Sequence, residues 1–482
     1  MATTLRIPDS SIRQYLADTN PWWTTGQQVD DRLRQWPRRS YFAAFLRQVQ
    51  AIEPRRAVVL IGPRRVGKTV MLMQTIQHLL DVAGVSGAQV LYAQMDAPLF
   101  MGESLDSLVR RFIDIHRHAP SRRLWVMFDE IQYLKDWQTH LKVLVDTHPN
   151  VQIVATGSAA AALKMGSRES GAGRFSDFIL PPLTFAEYLN FSNRDGLIVE
   201  SIDPANGRPR FDAPNIGELN AEFVNYLNYG GFPEAVLEPA VRADPRRFLR
   251  QDIVDKVLQK DLPSLFGIAD TQLLNRFFHV LAYNSGNEVS PESLSQTTAL
   301  KKTLISEYLE YLEAAYLIRR VHRIDDTARR LQRARTFKVY LTNPSMRAAL
   351  FGLLNADDEA MGSMAETAIW SQWLHSTATI QSLHYARWRE GRTDLEVDLV
   401  GLDSGTQKPR FAVEIKWSDA AWNSPNLLRG IRTLSTQHHL ARPPLVTTKT
   451  QVGTQLIDGQ PFEFVPCSLH CYTIGRNLVA AL

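Results

Sequence analysis

The sequence predicts an α/β protein of several domains, with a parallel sheet early in the chain and a second α/β unit at its end. Three observations carry this reading. From Arg39 to about Asn190 short apolar runs alternate with helical stretches, the pattern of a parallel sheet with crossover helices. The first run, Ala57–Ile61, leads directly into Gly62-Pro63-Arg64-Arg65-Val66-Gly67-Lys68-Thr69, a complete G-x-x-x-x-G-K-[ST] pattern, and a helical stretch opens at Val70. Near the far end, Leu395–Val400 and Phe411–Lys416 read as two strands flanking the turn-rich Asp403–Pro409.

The glycine pattern dictates its own chemistry. Its backbone can curl so that N–H groups and a helix N-terminus face negative charge. Lys68 then reaches the β- and γ-phosphates of ATP, and the Thr69 hydroxyl sits on Mg²⁺. Val90–Gln94 is the next strand; Leu124–Phe128 follows, continuously apolar and so buried on both faces. It runs into Asp129-Glu130. Downstream of a phosphate loop, such a pair would hold Mg²⁺ through Asp129, while Glu130 orients and deprotonates the attacking water. Val151–Ala155 is a further strand, ending in Thr156-Gly157-Ser158, whose hydroxyls suit contact with a γ-phosphate or the water. Arg174 closes a glycine- and serine-rich loop that begins at Gly166. By residue type alone it is either a solvated arginine or a charge-stabilising group for a neighbouring subunit's site.

The runs GPRRVGKT, WVMFDEIQYLKDW, IVATGSAAA, GAGRF and PPLTFAEYL, continued by YLNYGGFPE from Tyr226, resemble a prokaryotic family of AAA-type ATPases. In that family the ATPase is followed by a winged helix and a restriction-endonuclease-like domain. The resemblance covers most of the chain. It implies that Asp129 and Glu130 are the Walker B pair, Ser158 the sensor and Arg174 an arginine finger. It also implies a homo-oligomer with ATP sites between subunits. The expected fold is therefore α/β: a P-loop AAA+ ATPase with a parallel sheet, a helical lid and a winged helix, then a restriction-endonuclease-like α/β domain. The expected segments are an N-terminal arm over 1–37, an ATPase core over 38–190, a connector and helical subdomain over 191–266, a winged-helix-like domain over 267–330 and a nuclease-like domain over 331–482.

Composition agrees with this plan. The chain has 482 residues, too many for one ordinary domain, and its 44% hydrophobic and 22% charged residues supply several cores. No run of 18 apolar residues exists and Met1–Arg6 lacks a signal-peptide core, so a cytoplasmic protein off the membrane is expected. A net charge of +4 permits nucleic-acid binding without arguing for it. Cys467, Cys471 and His470 offer three ligands, short of a closed zinc site, and read as buried or surface thiols beside a histidine. Trp22-Trp23 reads as an anchor for the N-terminal arm on the sheet domain.

Residues 191–214 are polar and read as a connecting loop, and helical periodicity returns from Ile216 to Phe266. Thr271–Arg323 reads as three helices and a turn. Ser290-Pro291-Glu292 starts the second helix, and the third, Lys301–Ala315, has Leu304, Tyr308, Leu312 and Ala315 on its apolar stripe. The arrangement resembles a winged helix. Its third helix carries Glu307, Glu310 and Glu313, which phosphates repel, so this unit is expected to pack against protein rather than read bases. Arg319, Arg320, Arg323, Arg329, Arg330, Arg333 and Arg335 form the densest basic cluster, either a solvated linker or a strip contacting phosphates.

A hairpin centred on Thr406 sets Asp398 opposite Glu414 and Glu396 opposite Lys416. Opposed carboxylates repel by up to ~1 kcal/mol. A divalent cation reverses that sign, and Mg²⁺ prefers a few hard oxygens with retained waters. Lys416 would then orient the attacking water or stabilise developing charge. The D-x(15)-E-x-K spacing resembles the PD-(D/E)xK nuclease core, and Glu366, in the helical stretch Met364–His375, matches the acid on that fold's first helix. A structural hairpin with an ion pair is the bland alternative. Two functions stay open: an oligomeric ATPase controlling a Mg²⁺-dependent nuclease on nucleic acid, DNA ahead of RNA, which would suit genome defence; or a nucleotide-dependent switch whose nuclease-like domain is inactive and binds a partner. No pore-loop aromatic or helicase motif supports a processive motor.

Overall fold

The structure is a computed structural model that describes residues 8–24, 28–100, 102–158, 173–204, 207–328 and 336–481. The chain divides into two compact units, Met1–Leu180 and Pro181–Leu482.

The first unit is built on five strands: β1 (Ala57–Gly62), β2 (Val90–Gln94), β3 (Leu124–Asp129), β4 (Val151–Ser158) and β5 (Phe175–Ile179). They form a parallel sheet in the order β2-β3-β4-β1-β5. Every residue of β1 and β3 is buried, which is why these strands read as unbroken apolar runs. β3 and β4 each run past the apolar stretch into polar residues, so Asp129, Thr156 and Ser158 are strand residues rather than loop residues. The order places β4 between the strand that feeds the phosphate loop and the strand that ends in the acids. Gly62 pairs with Ser158 across it.

β2 is the sheet edge, and the N-terminal arm closes it. The Asn20 side chain accepts from Tyr92 N at 2.6 Å and donates to Tyr92 O at 2.8 Å, taking up the edge hydrogen bonds of that residue. Trp22 and Trp23 both donate Nε1–H to Val90 O, at 3.0 and 2.8 Å, which is the anchoring role their side chains suggest. Beside them Trp23 stacks on Phe112.

The second unit holds a two-stranded hairpin, β6 (Val199–Ile202) with β7 (Pro209–Asp212), inside the stretch expected to be loop. Its sequence is too polar to announce a strand; the pairing is local. The remaining strands are β8 (Glu288–Val289), β9 (Ile318–Ile324), β10 (Phe337–Leu341), β11 (Leu383–Glu390), β12 (Thr393–Leu402), β13 (Pro409–Glu414), β14 (Leu445–Thr448), β15 (Gly453–Ile457) and β16 (Gln460–Pro466). They make one nine-stranded mixed sheet in the order β15-β16-β14-β13-β12-β11-β9-β10-β8. The segments 267–330 and 331–482 thus share a sheet, joined where β9 runs parallel to β11 at Arg323–Tyr385 and Ile324–Ala386.

Helices Phe185–Phe191, Ile216–Tyr229, Met361–Gln372 and Cys467–Ala480 contribute to the larger apolar core of this unit. Helix Arg429–Gln437 contributes to a second core over the β11–β13 strands. Both cysteines are free and buried, and burial pushes the Cys467 thiol up to about 12. Three helices, Thr271–Tyr283, Pro291–Thr298 and Lys302–Ala314, precede β9. The third buries Ile305, Tyr308, Leu309 and Leu312, and Ala315 follows it buried, so three of the four expected stripe residues face inward while Leu304 lies at the margin and Ile305 and Leu309 widen the stripe. Among the described residues no helix is long and apolar enough to cross a membrane.

Candidate functional site

The phosphate loop leaves β1 at Gly62, where an added Cβ would meet Leu180 O at 2.3 Å. At its other end Gly67 has φ 96°, a left-handed conformation that glycine adopts without steric cost, and the helix Lys68–Asp81 begins at once. Pro63, Arg64, Arg65 and Val66 form the turn between; the buried Arg39 donates to Val66 O at 2.8 Å and braces it. Lys68 Nζ donates to Gly62 O at 3.0 Å and Pro63 O at 2.8 Å, holding the ammonium within the loop it would serve.

The acids lie beside this loop. Asp129 is 1% exposed, and its Oδ2 accepts from the Thr69 hydroxyl at 2.7 Å and the Tyr92 hydroxyl at 2.9 Å. Thr156 donates to its other oxygen. Burial raises the Asp129 pKa, and these hydroxyls oppose the rise. The Thr69–Asp129 pair supplies the hydroxyl and carboxylate that Mg²⁺ takes in P-loop sites, so these residues fit the ion. Glu130 adopts φ 55°, a rare conformation for a residue with a side chain, and its N–H is fixed by Thr156 Oγ1 at 2.9 Å. Gln132 donates to the Glu130 carboxylate while its Oε1 accepts from Ser158 N at 3.1 Å, linking the two sequence-predicted residues. The Ser158 hydroxyl is buried and has no hydrogen-bond partner among the described residues. Sequence reading missed Tyr92 and Gln132. The signal for Gln132 was its spacing, two residues after the acid pair.

Arg174 is elsewhere. It immediately precedes β5, and its Nε–H is shared between the two carboxylate oxygens of Asp146, at 2.8 and 3.1 Å. Because β5 and β1 are parallel and Phe175 pairs with Ala57, Arg174 sits at the start of β1, not at the loop end. Residues 159–172, which include most of the glycine- and serine-rich loop, lie outside the described residues.

In the second unit β12 and β13 pair Leu399 with Val413 and Val400 with Ala412, the register that sets Asp398 against Glu414. β13 ends at Glu414, where it also pairs with β14. Lys416 N therefore donates to Thr447 Oγ1, at 2.7 Å, and Lys416 does not pair with Glu396 as the extended hairpin would require. Its Nζ lies 2.7 Å from Glu414 Oε1 and 3.4 Å from Asp398 Oδ2. Asp398 Oδ2 also accepts from Ile415 N at 2.8 Å. The helix Met361–Gln372 brings Glu366 to the same cluster.

A residue absent from the expected set completes it. Lys338 of β10 is buried, with Nζ 2.9 Å from Glu366, 2.6 Å from Glu396 and 3.9 Å from Asp398. Tyr340, one turn of the pleat along, donates to Glu366 at 2.5 Å. Burial raises Glu366 to about 6, and raises Glu414 to about 8 with Asp398 adding to the effect. Burial works to lower both lysines, but the surrounding carboxylates outweigh it and their pKa values rise. Glu414 is 7% exposed and its Oε2 has no hydrogen-bond partner among the described residues. Glu366, Asp398 and Lys416 line a cavity of about 550 Å³ with Trp417 and Lys449.

Among the described residues no group of three or more His, Cys, Asp or Glu side chains is gathered to hold a metal ion. Two opposed carboxylates, Asp398 lining a roomy cavity and Glu414 behind it with an orphaned oxygen, fit a cation that keeps most of its water, as Mg²⁺ does. They do not make a protein cage.

Two arginines of the basic cluster are committed within the fold. Arg320 Nε pairs with Glu313 at 2.6 Å, and Arg323 Nε donates to Arg387 O at 2.9 Å. Arg329, Arg330, Arg333 and Arg335 lie outside the described residues.

Residues 54–189 match the AAA domain family model AAA_14, and the chain carries an AAA-type P-loop domain over that stretch. Residues 220–357 match a domain of unknown function, DUF8612. An uncharacterized protein of Haemophilus influenzae is 27% identical over 274 residues, 55% of this chain and 62% of the relative. An uncharacterized protein of Methanocaldococcus jannaschii is 25% identical over 329 residues, 66% of this chain and 67% of the relative. The match thus spans less than two thirds of the Haemophilus protein's own length. Among solved structures, Aeropyrum pernix Orc1 in complex with DNA has 14% identity and a TM-score of 0.31, covering 68% of this chain and 95% of that one. Cdc6p of Pyrobaculum aerophilum has 13% identity and a TM-score of 0.29, covering 66% and 93%.

Proposed function

We propose that this chain is an ATP-hydrolysing AAA-type ATPase, assembled as a homo-oligomer with ATP sites between subunits, that controls a Mg²⁺-dependent nuclease site in its second unit. Lys68 would bind the β- and γ-phosphates, and Thr69 and Asp129 would hold Mg²⁺. Glu130 would take the proton of the attacking water, and the Ser158 hydroxyl would contact the γ-phosphate or that water. The hydrogen bond between Thr69 and Asp129 at 2.7 Å supports this division of labour.

In the second unit Asp398 and Glu414 would hold Mg²⁺, which supplies a polarised phosphoryl oxygen and a more acidic water. Lys416 would orient that water or neutralise developing charge, and Glu366 would fix the geometry from its helix. The observation that carries the reading is the convergence of Glu414 and Asp398 on Lys416, with Glu366, Asp398 and Lys416 lining one cavity and Glu414 Oε2 unpartnered among the described residues. The substrate would be nucleic acid, DNA ahead of RNA. Segment 267–330 would act as a winged-helix-like module turned towards protein: Glu313 is spent on Arg320, and exposed Glu307 and Glu310 repel phosphates. A cytoplasmic genome-defence role suits the pairing of an ATP-driven controller with a nuclease.

Plasmid and single-stranded substrates incubated with Mg²⁺ or Mn²⁺, with and without ATP, test this. Cleavage by wild type that Glu414→Ala abolishes, with ATP turnover intact, is the expected result. Intact substrate under every condition, beside a control nuclease that cuts, favours the inactive-switch alternative.

A further inference from the structure

Lys338 has no place in the reading above, yet its Nζ lies within 4 Å of three carboxylates. Its side chain is 4% exposed. It enters from β10, which stands three places from β12 in the sheet order, and crosses above Tyr385, whose ring centroid lies 5.4 Å from Nζ. Three carboxylates from two elements, Glu366 on a helix and Glu396 and Asp398 on β12, converge on this one point.

The cluster therefore has two halves. Asp398 belongs to both: Oδ1 faces Lys338, while Oδ2 faces Lys416 and accepts from Ile415 N. On the Lys416 side Glu414 retains a buried oxygen without a partner among the described residues. On the Lys338 side the space between three acids is filled by a cation on a fixed stem. With all three acids within 4 Å of Nζ, the ammonium supplies the positive charge that a metal ion would otherwise have to bring there.

We infer that Lys338 is a positioning residue that occupies a second cation position, so that the site takes a single divalent ion on its Asp398–Glu414 side. This rests on the metal-binding reading of the site. The role differs from plain ion pairing. An ammonium carries one charge and cannot leave, so Glu366 and Glu396 are held whether or not a divalent ion is bound, and a substrate phosphate meets one metal ion rather than two.

Calorimetric titration of the nucleotide-free full chain with Mn²⁺ tests it. Wild type should bind one ion that Glu414→Ala loses. Lys338→Met should bind two, and Lys338→Arg should return to one. Removing the ammonium leaves buried acids unpaired, so Lys338→Met is also melted with and without Mn²⁺, where the ion should restore its thermal stability towards wild type. A Lys338→Met protein that takes one ion at wild-type affinity, or that stays unfolded in saturating Mn²⁺, overturns the inference. A wild type that binds no ion sinks the metal reading and the inference with it.

Discussion

Arg174 offers the sharpest test of the proposed assembly. The start of β1 pairs with the residue after Arg174, and the phosphate loop leaves the other end of that six-residue strand. At about 3.3 Å per residue the separation is ~17 Å, more than an arginine side chain spans. In its own subunit Arg174 therefore cannot touch the γ-phosphate; it can act only across an interface, or as the partner of Asp146 and nothing more. The two roles separate cleanly. An arginine supplied in trans is worth ~10³-fold or more in turnover, so Arg174→Ala should bind ATP normally and hydrolyse it at a thousandth of the wild-type rate or less. Asp146→Ala removes only the ion pair and should keep turnover. Mixing is decisive. Glu130→Gln retains its arginine and its phosphate loop but lacks the group that takes the water's proton. In an equal mixture with Arg174→Ala, a head-to-tail interface brings an intact Glu130 to an intact Arg174 about one time in four, so phosphate release should recover to about a quarter of wild type. A mixture no more active than its two components, or an Asp146→Ala that fails as badly as Arg174→Ala, refutes the assignment.

Asn20→Ala should lower the thermal midpoint of the first unit, because it strips two buried hydrogen bonds from the edge residue Tyr92; the cost is about 1–3 kcal/mol, read by urea or thermal melting. Loss of the arm should also loosen Tyr92, whose hydroxyl holds Asp129, and so weaken ATP turnover more than ATP binding. His470 sets an acid limit on the second unit. Its Nε2 is buried without a partner among the described residues, and burial lowers its pKa to about 4 from 6.5. The unfolded chain thus takes the proton first. Stability present above pH 6.5 should drain as pH falls towards 4, by at most about 3 kcal/mol because the residue as a whole is only half-buried. His470→Phe should flatten that part of the profile in denaturant melts at successive pH values.

The residues that sequence reading reached are those whose chemistry is contiguous. A phosphate cradle needs its glycines, lysine and threonine within eight positions, so Gly62–Thr69 declares itself. The Asp398–Glu414 opposition was legible for a related reason: a hairpin about Thr406 fixes register by counting. Counting failed two residues later, where β13 ends and Lys416 turns to Thr447 on β14, a strand some thirty residues away in the chain. Tyr92 and Thr156 became Asp129 partners only through the order of the sheet, and no local pattern encodes strand order. Lys338 was hidden twice over. It lies in an apolar run, FKVYL, and its acids come from two other elements. A lysine in a strand otherwise wholly buried was the one clue available. The third helix of segment 267–330 shows a finer limit: periodicity gave the helix, but which of Leu304 and Ile305 faces inward depends on what it docks against.

The shared sheet of the second unit bears on how such proteins can change over evolutionary time. Two modules joined by a flexible linker can be exchanged like cassettes. Here β9 is the seam: it lies between β11 and β10, and both of its edges are used. A recombination that severed the chain near residue 330 would carry β10 into the downstream piece without the strand that seats it. Lys338 would travel along but arrive unmoored, and the acids it holds would lose their counter-charge. The helical and acidic halves are therefore bound to be inherited together, and new combinations should be sought upstream of residue 181, where one compact unit gives way to the next.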